Sequence, residues 1–284
     1  MSGLYALLDV ILPYQWLSPL FMKNAFLAVL VASVLFGTLG TFVVSNRMSF
    51  FSDAIGHSSL AGIALGAIVG SPDVTLSMVA FSLVLGALIV AVKVKGKAAS
   101  DTVIGVFSST AVALGIVILS AGSGFAKWQG YLVGDVLSIT PRQIVLLCCC
   151  ALLVLAVWAL LYNRMLLVSL HPSFAKSRGV HTFAVELLFA LLTALVVTVS
   201  IRWTGLLVVN SMLVLPAASS RLVSKSCRSY LACSLSFSLV SGVAGLCLSY
   251  YMETAAGASI VLVNAIVFAL CFAFGALKGR ALKG

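Results

Sequence analysis

The chain has 284 residues, of which 62% are hydrophobic and only 8% charged, against roughly 25% charged in an ordinary soluble domain. So much apolar surface excludes a soluble fold of this size and indicates an integral membrane protein. The net charge of +10 would suggest nucleic acid in a soluble chain. In a membrane protein it follows from retention of Lys and Arg in cytoplasmic loops, so no nucleic-acid partner is expected.

The first residues, "MSGLYALLDVILPYQWLSPL", are apolar but broken by Pro13 and Pro19 and end in aromatics. They read as an interfacial segment, 1–22, rather than a membrane span. No charged-then-apolar leader with a small-residue cleavage site precedes Gly37, so no removable signal peptide is expected. A transmembrane domain, 23–278, and a cytoplasmic tail, 279–284, complete the chain. A span needs about 20 apolar residues. The candidates are 24–45, 50–70, 74–92, 102–121, 143–162, 183–201, 204–220, 229–251 and 258–277. The fold expected is all-α with eight or nine transmembrane helices, the N-terminal side being the less secure end. An outer connection, 122–142, has room for a short helix, and a long inner connection runs over 163–183.

With the N-terminus outside, Arg47, Lys93, Lys95, Lys97, Arg164, Lys176, Arg178, Arg221, Lys225, Arg228, Lys278, Arg280 and Lys283 all fall inside, which is 13 of 17 basic residues. That asymmetry sets the orientation. The seven cysteines sit mostly in apolar runs, where Cys acts as a small hydrophobe. No disulfide framework is expected.

Most acids lie in turns or at helix starts. Asp53 and Glu186 fall inside spans. Counted along a helix from Arg47, Asp53 would lie about 9 Å into the membrane and His57 about 15 Å. A carboxylate near mid-bilayer costs roughly 2.5–3.5 kcal/mol even on the lenient insertion scale. At i and i+4 the two side chains share a face, and small residues surround them (Ser52, Ala54, Gly56, Ser58, Ser59, Ala61, Gly62). The pattern fits an Asp–His contact joining helices, a proton relay, or a pair of ligands for a divalent transition metal. Glu186 lies near the cytoplasmic interface, where it can snorkel or pair with a neighbouring base. Pro216 interrupts a span and frees a carbonyl, as membrane proteins do at gates and in packing. Asn210, in the same span, can hydrogen-bond across helices or line a path.

Several blocks then occur in order: "GTFVVSNRMSFFSDAIGHSSLAGIALG", "SDTVIGVFSSTAVALGIVILS", "YLVGDVLSIT", "HPSFAKSRGV", "GLLVVNSMLVLPAASSRL" and "SYYMETAAGASIVLV". Over Ala25 to Leu277 the chain resembles the membrane permease subunit of ATP-binding-cassette importers for zinc, manganese or iron(II). The resemblance implies a type II ABC importer-like permease, all-α and without enzymatic activity of its own. The chain has no G-x-x-x-x-G-K-[ST] phosphate loop, so ATP hydrolysis would reside in a partner. The implied partners are a dimer of cytoplasmic ATP-binding subunits, an extracytoplasmic metal-binding protein, and a second permease copy or paralogue. The implied cargo is a divalent transition metal, with no cofactor held permanently. In that family the Asp and His of the S-D-A-x-x-H block lie on the translocation route, which here are Asp53 and His57. The segment holding His171, Pro172, Phe174, Ala175, Lys176, Arg178 and Gly179 would be the helix that docks in the ATPase, and Asn210 and Pro216 would serve the pathway or its gating.

Some positions depart from the family pattern. His171 stands where Asp is usual, Ala255 where Pro is common, and Asn210–Ser211 replace a smaller, more apolar pair. Two other readings remain in view: a vitamin or siderophore permease of the same superfamily, and a self-contained cation-coupled carrier using Asp53 and His57 as a proton relay. An intramembrane enzyme is disfavoured by the lack of H-E-x-x-H and of paired carboxylates on facing helices.

Overall fold

The computed structural model describes residue 5 and residues 14–70, 73–96, 99–121 and 134–281. Among these residues the chain is helical, with no strand. A 3-10 turn at Gln15–Leu17 precedes α1 (Leu20–Ser45), α2 (Phe51–Val69), α3 (Val74–Lys95) and α4 (Ser100–Ala121). A second 3-10 turn, Val136–Ser138, leads to α5 (Pro141–Leu170), the short α6 (Pro172–Ser177), α7 (Thr182–Thr204), α8 (Leu206–Val223), α9 (Cys227–Met252) and α10 (Ala256–Ala281). All but α6 are long and apolar enough to cross a membrane, which makes nine among the described residues.

The nine predicted spans are therefore present, with shifted ends. The first begins at Leu20, not at about 24. Most of the N-terminal interfacial segment lies outside the described residues; its end is an ordered turn in which Trp16 and Leu17 are buried and Trp16 packs edge-on against Phe26 at 5.8 Å. The predicted outer helix within 122–142 falls largely outside the described residues, apart from the 3-10 turn. The inner connection 163–183 is shorter than expected, because α5 runs on to Leu170 through Asn163 and Arg164.

Helix ends follow local chemistry. Asp73 accepts from the Thr75 N–H at 2.9 Å and Ser226 from the Ser229 N–H at 3.2 Å, each at an N-cap. Gly70, at φ 69°, closes α2 in the left-handed conformation that glycine adopts without strain. Between α1 and α2 the Met48 N–H reaches back to the Val43 carbonyl at 2.9 Å, which leaves residues 46–50 as a turn outside either helix.

The chain forms two compact units. The first comprises Met1–Thr41, Asp135–Leu152 and Trp203–Gly284, and the second Phe42–Gly134 and Leu153–Arg202. Close approach through glycine builds both. In the first unit, a Cβ on Gly40 would lie 2.0 Å from the Leu213 carbonyl oxygen, so α1 and α8 touch backbone to side-chain-free backbone. In the second, a Cβ on Gly115 of α4 would lie 2.8 Å from the Ala61 nitrogen of α2. Such small-residue contacts drive helix association where lipid removes the hydrophobic incentive. The second unit also carries an aromatic cluster in which Phe42 meets Trp158, Tyr162 and Phe189 at 5.8–6.2 Å. Large apolar side chains such as Leu152, Leu160, Val117 and Ile266 are exposed, as a lipid-facing surface requires.

Candidate metal pathway and cytoplasmic docking segment

Asp53 and His57 belong to α2, which starts at Phe51 because the "NRMSF" turn of residues 46–50 before it is not helical. Asp53 consequently sits in the first turn, where its negative charge meets the positive end of the helix macrodipole. This revises the depth count from the sequence. The 1.5 Å rise per residue applies only from Phe51, so Asp53 stands about 3 Å and His57 about 9 Å along the helix.

The structure brings these two side chains together. Nε2 of His57 lies 3.6 Å from Oδ1 of Asp53, with the side chains 43% and 44% exposed. A separation of 3.6 Å is too long for a direct hydrogen bond. It is close to the spacing of two ligands that share one ion, since donors about 2.1 Å from a tetrahedral metal stand roughly 3.4 Å apart. The pair sets an oxygen and a nitrogen at a spacing that one divalent cation could bridge. Among the described residues no group of three or more His, Cys, Asp or Glu side chains converges.

Glu186 is explained by a neighbour that sequence spacing could not supply. Its Oε2 lies 3.0 Å from the Lys93 Nζ, with the two side chains 19% and 15% exposed. The expected pairing with a nearby base is thus present, and it links the last turn of α3 to the second turn of α7. At the opposite ends of the same two helices, Arg202 donates to the Thr75 hydroxyl at 3.5 Å.

Asn210 and Pro216 both lie in α8, Asn210 half-buried and Pro216 buried. Six residues turn a helix by about 240° beyond a full turn, so the two do not share a face. Pro216 has no N–H to donate, so the Met212 carbonyl one turn earlier in α8 loses its helical hydrogen bond, while one turn later the Ser219 and Ser220 hydroxyls bond the Leu215 and Tyr230 carbonyls.

In the cytoplasmic segment His171 occupies the N-cap of α6, with Pro172 in the first turn, but its side chain caps nothing. Ala175 is fully buried and anchors the turn, while His171, Phe174, Lys176 and Arg178 are exposed. The Arg178 guanidinium lies over the Phe174 ring at 5.1 Å, a cation–π arrangement that holds both outward. Gly179, at φ 74°, reverses the chain, and Lys176, Gly179, Val180, His181, Thr182 and Phe183 line a cleft of about 310 Å³. The segment is a short helical turn that exposes basic and aromatic side chains.

Comparison with known proteins identifies the family of the chain. The model of the ABC 3 transport family matches residues 19–275. The chain belongs to the ABC 3 transport family. Within it, the chain is 31% identical over 263 residues to the manganese import system permease protein ScaB of Streptococcus gordonii, covering 93% of this chain and 94% of that one. It is 28% identical over 247 residues to the high-affinity zinc uptake system membrane protein ZnuB of Haemophilus influenzae, covering 87% and 94%. Among solved structures it is similar to PsaBC from Streptococcus pneumoniae in complex with Fab, at TM-score 0.77 and 27% identity, over 96% of this chain and 95% of that one. An inward-facing putative metal-chelate type ABC transporter shares the fold at TM-score 0.66 and 19% identity, over 88% and 84%. The family and the nine apolar helices make this a multi-pass transport protein of the bacterial plasma membrane.

Proposed function

We propose that this chain is the membrane permease subunit of an ATP-binding-cassette importer that moves a divalent transition metal, manganese, zinc or iron(II), into the cytoplasm. The observation that carries the reading is the Asp53–His57 pair. The two side chains are half-exposed and 3.6 Å apart on one face of a membrane helix. Hard oxygen with borderline nitrogen suits this class of ion. Full-length similarity to permeases named for manganese and zinc uptake supports the same cargo.

In this reading, a cytoplasmic pair of ATP-binding subunits supplies the energy by docking on α6, with Phe174, Lys176 and Arg178 as the contact. An extracytoplasmic metal-binding protein delivers the ion, and a second permease copy or paralogue completes the pathway. Two ligands per chain then give up to four around an ion on a shared axis. ATP binding shifts the population between outward- and inward-open states, and Asp53 and His57 hand the ion across without holding it.

The test is uptake into proteoliposomes containing the permease with and without its ATP-binding subunit. ATP-dependent accumulation of manganese(II) or zinc(II) only in the complete assembly is the expected result. Equal accumulation by the permease alone would favour the cation-coupled carrier instead.

A further inference from the structure

We propose that Ser108 of α4 is a further residue of the metal pathway, facing the opening beside Asp53 and His57. This inference rests on the metal-permease reading above and deepens it.

The face that α4 turns to the core carries Ile104, Ser108, Ala111, Gly115 and Leu119, spaced four, three, four and four residues apart, as one helix face requires. Ile104, Ala111 and Leu119 are 1%, 5% and 4% exposed, and Gly115 is buried. Ser108 is the polar member of this ridge and the one that is half-exposed. A packed ridge therefore opens at a single position.

The register of α4 against α2 shows what lies at that level. Both helices run outward from the cytoplasmic side. Gly115 seats on Leu60 and Ala61, with its ideal Cβ position 3.0 Å from the Leu60 carbonyl carbon and 2.8 Å from the Ala61 nitrogen. Two turns toward the cytoplasm, seven residues back on each helix, stand Ser108 and Asp53. One turn back stand Ala111 and His57. The opening in the α4 ridge and the half-exposed Asp53–His57 pair thus share one level of the second unit.

The Ser108 hydroxyl is also uncommitted. Thr110 on the same helix returns its hydroxyl to the Val106 carbonyl at 2.8 Å. Among the described residues no such bond takes up Ser108. In a membrane helix a hydroxyl with neither a carbonyl nor a neighbour is costly unless water or a solute meets it.

A neutral hydroxyl adds no charge to the pathway. It can accept a hydrogen bond from water on a partly hydrated cation, while Asp53 and His57 contact the ion itself. That division lets the ion keep part of its shell and leave again. Ser108 therefore acts on the ion through its water, as a positioning residue.

The experiment uses the full chain with Ser108→Cys, assembled with its ATP-binding subunit in membranes and treated with a water-soluble, membrane-impermeant thiol reagent. The native chain, with its own cysteines, sets the background. Modification above that background is expected, and manganese(II) should slow it at least about fivefold, with the protection lost when Asp53→Asn is added. Ser108→Ala should lower kcat/KM for manganese uptake about tenfold at unchanged thermal stability, and Ser108→Thr, which keeps the hydroxyl, should retain most of it. The proposal is overturned if Ser108→Cys reacts no faster than background, if manganese does not protect it, or if Ser108→Ala transports like the native chain. In each of those cases, metal uptake by the native assembly leaves the permease reading standing. Absence of any divalent-metal uptake by the native assembly would overturn both.

Discussion

The Lys93 ammonium and the Glu186 carboxylate lie 3.0 Å apart, tying the last turn of α3 to the second turn of α7. Both are more than four-fifths buried, so each needs the other. Removing one partner of such a pair leaves a buried charge uncompensated, at a cost of about 3 kcal/mol. Glu186→Gln and Lys93→Met should each lower the melting temperature of the purified protein measurably, while Lys93→Met with Glu186→Leu should recover most of the loss. A thermal unfolding series in detergent checks this. Equal destabilisation by the double variant and the sum of the singles would show that the pair is not coupled.

Two glycines make opposite predictions. A methyl group on Gly40 would meet the Leu213 carbonyl oxygen at 2.0 Å, so Gly40→Ala must push α1 and α8 apart, at roughly 1–3 kcal/mol for overpacking. A Cβ on Gly105, inside α4, meets nothing within 4 Å. Gly105→Ala should be neutral, or stabilising by about 1 kcal/mol through helix propensity. The same thermal measurement reads both, and a reversed order would contradict the close packing of α1 on α8.

The cytoplasmic turn predicts a separation of coupling from metal handling. Phe174 is half-exposed and carries Arg178 over its ring, so Phe174→Ala removes the anchor and releases the guanidinium. The variant should weaken co-purification of the ATP-binding subunit about tenfold, consistent with loss of a buried aromatic hot spot. Thermal stability of the isolated permease should hold, because Ala175 and not Phe174 is the buried residue of that turn. Gly179→Ala should be weaker still in assembly, because φ 74° strains any residue with a Cβ. Undiminished assembly in both variants would remove α6 from the docking surface.

Much of this was legible in the residues, for physical reasons. Apolar runs of about 20 residues can hardly be anything but spans, and nine were found where they were expected. The Asp53–His57 relation was legible because i and i+4 share a helix face whatever the surroundings. Depth was not. The count from Arg47 assumed a helix through residues 46–50, where the chain turns so that Met48 can bond the Val43 carbonyl. The extension of α5 to Leu170 was hidden because Asn163 and Arg164 mark the membrane edge, and a helix continues past that edge when its own hydrogen bonds hold. The partner of Glu186 was unreadable, since Lys93 reaches it only through the packing of α3 on α7. Ser108 gave no signal at all until its neighbours on the ridge proved buried.

The central claim is that Asp53 and His57 carry the metal. It is tested most directly by metal uptake through the complete importer reconstituted with Asp53→Asn or His57→Ala, at matched amounts of folded protein. Asp53→Asn keeps the side-chain volume and His57→Ala keeps a strong helix former, so loss of transport at matched folded protein reports loss of a ligand. Uptake of manganese(II) or zinc(II) should fall at least about tenfold in each, equivalent to about 1.4 kcal/mol or more of lost stabilisation. Full uptake in both variants would contradict the assignment.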